Sequence, residues 1–292
     1  GGHAPGIIRP RNDVVAATHH VLMAHGKAVQ AIRSASKTTA SIGWAPVGVT
    51  FIPETDSPED IEAARRLMFD FPPTECDVTS QYYFNNSWYS DAVIKGEYPE
   101  SGIAYFGNDM VEIQSGDMEL ISQPLDFYGV NIYFGSAPVS ADPEKLELNK
   151  RRIGEPRTMM GWPVTPEALY WGPRFFAERY GMPLYITENG CAGMDWIHTD
   201  GKVHDHHRID FLTRYLKSLE RAIDEGIDVR GYFQWSIMDN YEWAEGYSKR
   251  FGLVYVDYET QCRVPKDSYE FYQEVIKTNG SSLPDAIERP IH

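Results

Sequence analysis

Short apolar runs that alternate with stretches of helical periodicity constrain this chain more than any other feature. Ala40 to Phe51, Asp126 to Tyr133, Leu184 to Thr187 and Gly231 to Ser236 are rich in Val, Ile, Phe and Tyr and read as four buried strands. A helix is expected from about Asp13 to Ser36, with Val15, Leu22, Val29 and Ile32 on one stripe. Ser57-Pro58-Glu59-Asp60 starts another, with Ser as cap, Pro in the first turn and acids at the positive end of the dipole; Ile61, Ala64 and Met68 continue it. Thr165-Pro166-Glu167 reads as a second capped start, for a helix that ends near Gly181 and is weakened by Gly172-Pro173. Ile209, Leu212, Leu216, Leu219 and Ile223 define a further helix closed by Gly226, and a last one lies near Tyr269 to Lys277. Residues 72–122 read as irregular.

Strands alternating with helices imply an α/β fold with a parallel sheet and helices outside it. Residues with chemical potential stand at the C-terminal ends of these strands: Asn131 and Tyr133, Glu188 and Asn189, Trp235 and the run after it. A (β/α)8 barrel gathers catalytic groups at that end, and so does a doubly wound sheet. The pattern alone leaves both architectures open.

A net charge of −15 argues against nucleic acid or an anionic membrane as partner. No apolar run approaches the roughly 18 residues of a membrane span. Cys76, Cys191 and Cys262 are widely spaced and form no metal or redox pattern, which suggests a reducing, cytoplasmic setting. No Gly-x-Gly-x-x-Gly run opens a helix after a strand, which disfavours a dinucleotide enzyme. His19-His20 and His206-His207 lack a metal-ligand spacing and read as surface residues, so neither metal nor cofactor is expected.

Glu188, directly after an apolar strand and stopped by Asn189-Gly190, is an acid held at the mouth of the sheet. Ile186-Thr187-Glu188-Asn189-Gly190 resembles the nucleophile motif of family 1 glycoside hydrolases, the β-glucosidases and their relatives. The run Trp235-Ser236-Ile237-Met238-Asp239-Asn240-Tyr241-Glu242-Trp243 and its continuation through Phe251 to Tyr258 is similar to the segment after strand eight of that family. Asp126 to Tyr133 resembles its sixth strand, and His3-Ala4-Pro5-Gly6 the loop leading to its fourth helix. The resemblance covers essentially the whole chain.

It implies a (β/α)8 TIM barrel of which this chain supplies roughly strands 5–8 and their helices, residues 1–292 being the C-terminal half of a single domain. It also implies retaining hydrolysis of a β-glycoside, which needs two carboxyl groups about 5–5.5 Å apart. Glu188 matches the attacking carboxylate, and Tyr133 the tyrosine that orients it. Asn131, Trp235, Glu242 and Trp243 match the residues that hold the sugar, and Trp162 the aromatic platform for the leaving group. Trp and Tyr faces, with a polar edge, suit sugar rings. The phosphoglycosidase branch carries Ser where this chain has Glu242 and Tyr where it has Phe251; a carboxylate at 242 would repel phosphate, so the resemblance implies an unphosphorylated sugar even though Lys249 is present.

The same resemblance exposes a gap. The family's acid/base lies in an Asn-Glu-Pro motif, and none occurs in these 292 residues. Four strands cannot close an eight-stranded barrel, so two strand edges and a wide apolar face are expected to be unpaired. Of a split enzyme, a truncation and a self-dimerising half-barrel, the first is favoured: a complementary N-terminal half-barrel chain is the expected partner, and the chain alone is expected to be inactive. The competing reading is a non-catalytic carbohydrate-binding or scaffold half-barrel, which would not require Glu188 and its neighbours to stand intact.

Overall fold

The computed structural model of the chain describes residues 3–71, 85–142, 144 and 153–284; Cys76 lies outside them. Helix α1 (Arg11–Ala35) buries Val15, His19, Leu22, Gly26 and Val29, an i, i+4, i+7 face. Ile32, expected on that face, is 45% exposed. His19, expected at the surface, is instead buried. Its place in the stripe carries it inward, where its ring nitrogens meet Tyr98 Oη at 2.9 Å and Asp117 Oδ2 at 3.2 Å and its polarity is satisfied.

The run expected as one strand over 40–51 is two, β1 (Gly43–Trp44) and β2 (Thr50–Pro53). Pro46 lies between them and has no N–H to give a ladder; its carbonyl accepts Asn131 N–H at 2.9 Å. The chain thereby steps from one sheet to another. Helix α2 (Pro58–Phe69) starts as expected, with Ser57 Oγ accepting Asp60 N–H at 3.2 Å.

The region read as irregular contains α3 (Asn86–Lys95), α4 (Glu100–Phe106) and α5 (Asp117–Ile121). At 10, 7 and 5 residues these helices are too short to show a period. They share a core with α1 through Trp88, Val93, Phe106 and Ile121, joined by Tyr98 from the α3–α4 connection. A Cβ on Gly26 would sit 1.8 Å from Leu120 O, so only glycine lets α5 cross α1 there.

Then come β3 (Phe127–Asn131), β4 (Gly135–Val139), α6 (Ala168–Tyr180), β5 (Leu184–Asn189), α7 (His206–Asp224), β6 (Val229–Gln234), β7 (Val254–Val256), β8 (Arg263–Pro265) and α8 (Asp267–Lys277). Helix α6 runs through Pro173 without a break. Thr165 does not cap it; its hydroxyl accepts Gly135 N–H at 2.8 Å. Helix α7 buries Phe211, Leu212, Tyr215, Leu219 and Ala222, while Ile223 of the expected stripe is 45% exposed.

The main sheet has the order β1-β3-β5-β6, with every pairing parallel. Its outer face, with Tyr128, Val130, Leu184 and Ile186, packs on Phe175, Phe176, Phe211 and Tyr215 from α6 and α7. Burial of each such side chain contributes about 1.5–3 kcal/mol. The other face presents Phe127 against Tyr185, ring centroids 4.9 Å apart. Beside them Phe233 of β6 is 57% exposed. Among the described residues strands β1 and β6 are the two edges, so the sheet is an arc of a TIM barrel, its last four strands, rather than a closed one. No helix among the described residues is long and apolar enough to cross a membrane.

Candidate active site

Parallel pairing in this sheet aligns the C-terminal ends of β3, β5 and β6, and Asn131 is in register with Glu188. Glu188 is half-buried. Tyr133, just past β3, donates its phenol hydrogen to Glu188 Oε2 at 2.6 Å. Burial, and then that bond to a carboxylate, push the Tyr133 hydroxyl far above the ordinary phenol range. It therefore stays a neutral donor that fixes the direction of the acid.

Asn131 is held in turn: its side-chain oxygen accepts from Thr187 Oγ1 at 2.6 Å. On the other side of Tyr133, Trp162 lies at 5.2 Å between centroids and Phe251 at 6.0 Å. Phe134 supports Trp162 at 5.4 Å. Trp235 follows β6, with its indole near the carboxylate of Glu242. Burial raises the Glu242 carboxyl above the usual range; the Trp235 indole works against this, and the charge of Glu188 adds to it. Trp243 stands 69% exposed at the rim.

Residues 1–281 match the sequence profile of Glycosyl hydrolase family 1. The chain belongs to that family. β-Glucosidase A of Thermotoga maritima is 40% identical over 287 residues, which cover 96% of this chain and 60% of that protein. A bifunctional β-D-glucosidase/β-D-fucosidase of Bifidobacterium breve is 38% identical over 289 residues, covering 91% of this chain and 58% of its own. Among solved structures, the Thermotoga maritima β-glucosidase in complex with deoxynojirimycin superposes with a TM-score of 0.78 at 38% identity, over 95% of this chain and 59% of that one. The chain thus spans about 60% of the length of the curated relatives it matches.

Two sets of residues hold the surroundings of Glu188 in ways the sequence reading did not assign. The first is Asn189, grouped there with the strand-end residues but given no structural task. Fully buried, it donates to Ile132 O at 2.8 Å, accepts from Tyr232 Oη at 2.8 Å, and its carbonyl accepts Trp235 N–H at 2.8 Å. One side chain and its backbone therefore tie β3, β5 and β6 together next to Glu188. Its neighbour must be glycine, because a Cβ on Gly190 would meet Trp235 O at 2.2 Å. An Asn-Gly pair at a strand end was the available signal.

The second set is a buried charge network behind the loops. Asp239 accepts Lys266 Nζ at 2.9 Å, Arg250 Nη1 at 2.6 Å and Gly252 N–H at 3.0 Å. Lys266 also reaches Asp195 at 2.6 Å, and Arg208 pairs with Asp195 and Asp205. Burial works against the Asp195 charge, but Arg208 and Lys266 outweigh it and hold the carboxyl below its usual range. Lys266 lies 71 residues from Asp195 and 27 from Asp239, separations that no sequence pattern links; the i, i+3 pair Asp205–Arg208 was the local signal available.

Three loops around the site are cross-braced. Lys249 Nζ donates to Met159 O at 3.0 Å, Met159 N–H to Ala192 O at 3.1 Å, and Gly193 N–H to Arg250 O at 2.9 Å. The segment carrying Trp162 is thus fixed both to the segment after Glu188 and to the one that carries Glu242. Of the histidines read as surface residues, His20, His206 and His207 are exposed. His206 nevertheless groups with His204 and Asp267, which pair spacing could not show because Asp267 comes from another element.

Proposed function

We propose that this chain carries the nucleophile side of a retaining β-glucosidase site. The observation that supports it best is the 2.6 Å bond from Tyr133 to Glu188, at the strand end where such a barrel performs its chemistry. Glu188 attacks the anomeric carbon, the glycosidic C–O bond breaks, and the leaving oxygen takes a proton from an acid outside this chain. Water, deprotonated by the same group, then hydrolyses the glycosyl ester and frees Glu188. Asn131, Trp235, Glu242 and Trp243 hold the sugar, with Glu242 accepting from two hydroxyls, and Trp162 faces the leaving group. Glu242, together with Phe251 in place of a hydroxylated ring, favours an unphosphorylated β-D-glucoside or a related β-glycoside.

A complementary N-terminal half-barrel supplies the acid/base. Two open sheet edges, the exposed ring of Phe233, the absence of Asn-Glu-Pro and the 60% span of the relatives all support this reading. Residues 1–292 are then the C-terminal half of one domain, inactive by itself. The test combines the chain with such a segment and a 2-deoxy-2-fluoro-glucoside. A covalent adduct on the peptide containing Glu188 supports the proposal, together with turnover of an aryl β-glucoside that the isolated chain lacks. Full turnover by a Glu188→Ala assembly overturns it, and binding without any adduct favours a non-catalytic carbohydrate-binding half-barrel.

A further inference from the structure

One cluster outside this site has chemistry that the glycosidase reading does not use. His204, His206 and Asp267 each offer a ligand atom, and these atoms all lie within 4.8 Å of one another. The backbone that presents them is locked. Val203 bridges Lys266, and Asp267 N–H donates to Val203 O at 3.1 Å. Asp205 accepts both the N–H of Ser268 at 2.8 Å and its hydroxyl at 2.5 Å. Buried Val203, Asp205, Lys266 and Ser268 thus alternate with the three donors, which point outward. Donors fixed by packed neighbours are preorganised.

His204 adds a second, independent feature. Its Nδ1 faces Asp267 Oδ2 at 2.7 Å, while its Nε2 faces Asp200 Oδ2 at 2.9 Å. The other oxygen of Asp200 is anchored by Lys202 N–H at 3.0 Å. One ring nitrogen aimed at the donor group and the other oriented by a carboxylate is how proteins set a metal-ligating imidazole.

We propose that His204, His206 and Asp267 bind a first-row divalent cation of the Zn2+ type, with Asp200 orienting His204. Two imidazoles and a carboxylate suit Zn2+ and its neighbours rather than Mg2+ or Ca2+, which take oxygen ligands. The cation takes the place of the proton held between His204 and Asp267. His206 and Asp267 open α7 and α8, so the positive ends of both helix dipoles oppose a cation; the Asp267 and Asp200 carboxylates offset this. Bound there, the ion clamps the start of α7 to the start of α8 and stabilises the folded chain by mass action.

The test is calorimetric titration of the full chain, stripped with EDTA, with Zn2+ and with Mg2+. It is run at about pH 8, above the ordinary imidazole pKa of about 6.5, so that proton competition is reduced. We expect stoichiometric Zn2+ binding, a higher Tm with Zn2+ than with Mg2+, and at least about a tenfold loss of affinity in His206→Ala and in Asp200→Asn. Both residues are exposed, so the metal-free Tm of each variant stays near that of the parent. No stoichiometric binding, or Zn2+ binding undiminished in His206→Ala, overturns the proposal.

Discussion

Lys266, with no exposed side-chain surface, donates to Asp239 at 2.9 Å and so pins the start of α8 beneath the loop that carries Glu242. Removing one member of a buried pair strands the other charge, which costs about 3–5 kcal/mol. Asp239→Ala should destabilise the chain by about that amount, since it removes the carboxylate paired with Arg250 and leaves buried Lys266 with only Asp195, which Arg208 already shares. Equilibrium unfolding in urea measures this, and a loss below about 1 kcal/mol, the scale of a surface pair, would contradict it.

Tyr133→Phe keeps the ring among Trp162 and Phe251 and deletes only the bond to Glu188. A hydrogen bond to a charged group is worth about 1.5–3 kcal/mol, or about 10- to 100-fold in rate if it acts in the transition state. In the assembly with its complementary half, kcat on an aryl β-glucoside should fall within that range. An unchanged kcat would mean that the phenol does not orient the acid.

Gly190→Ala forces a Cβ against Trp235 O. Backbone cannot yield as a flexible side chain does, so a loss of about 1–3 kcal/mol is expected. Displacement of the strand end should also abolish fluoro-glucoside labelling at Glu188. Normal labelling with parent stability would show that the contact relaxes freely.

Hydrogen bonds that the His204 ring donates to Asp267 and Asp200 raise its pKa. A folded-state pKa above the unfolded one gives stability that is complete below about pH 6.5 and is lost as pH rises through the folded value. In EDTA, the Tm advantage of the parent over His204→Gln should therefore shrink between about pH 6 and about pH 9. An advantage that grows with pH would reverse the assignment.

Much of the site was legible because a parallel sheet delivers successive strand ends to one place, so Asn131, Tyr133, Glu188 and Trp235 could be grouped before any coordinates. The structure sets the Tyr133 hydroxyl on Glu188, a detail that no spacing contains. The helices were readable where they were long. α1 was found, yet its face was misjudged because His19 was excluded from an apolar stripe that its position completes. Pro46 divided an expected strand, and α3, α4 and α5 were missed because each is too short to repeat. Of the Asp195, Asp205, Arg208, Asp239, Arg250 and Lys266 network only the i, i+3 pair Asp205–Arg208 leaves a local pattern; the Lys266 links that join its parts span distant segments and leave none.

The bonds that join Met159 to Lys249 and to Ala192 mean that the two ends of the cleft are not independent parts. On the proposed function, a graft of residues 235–258 from a relative, made to change which sugar is accepted, should also re-seat the segment that carries Trp162. On that reading, selectivity for the two sides of a glycoside would be inherited as one trait, and uncoupling them would begin at Lys249, whose side chain makes the bond to the Met159 carbonyl.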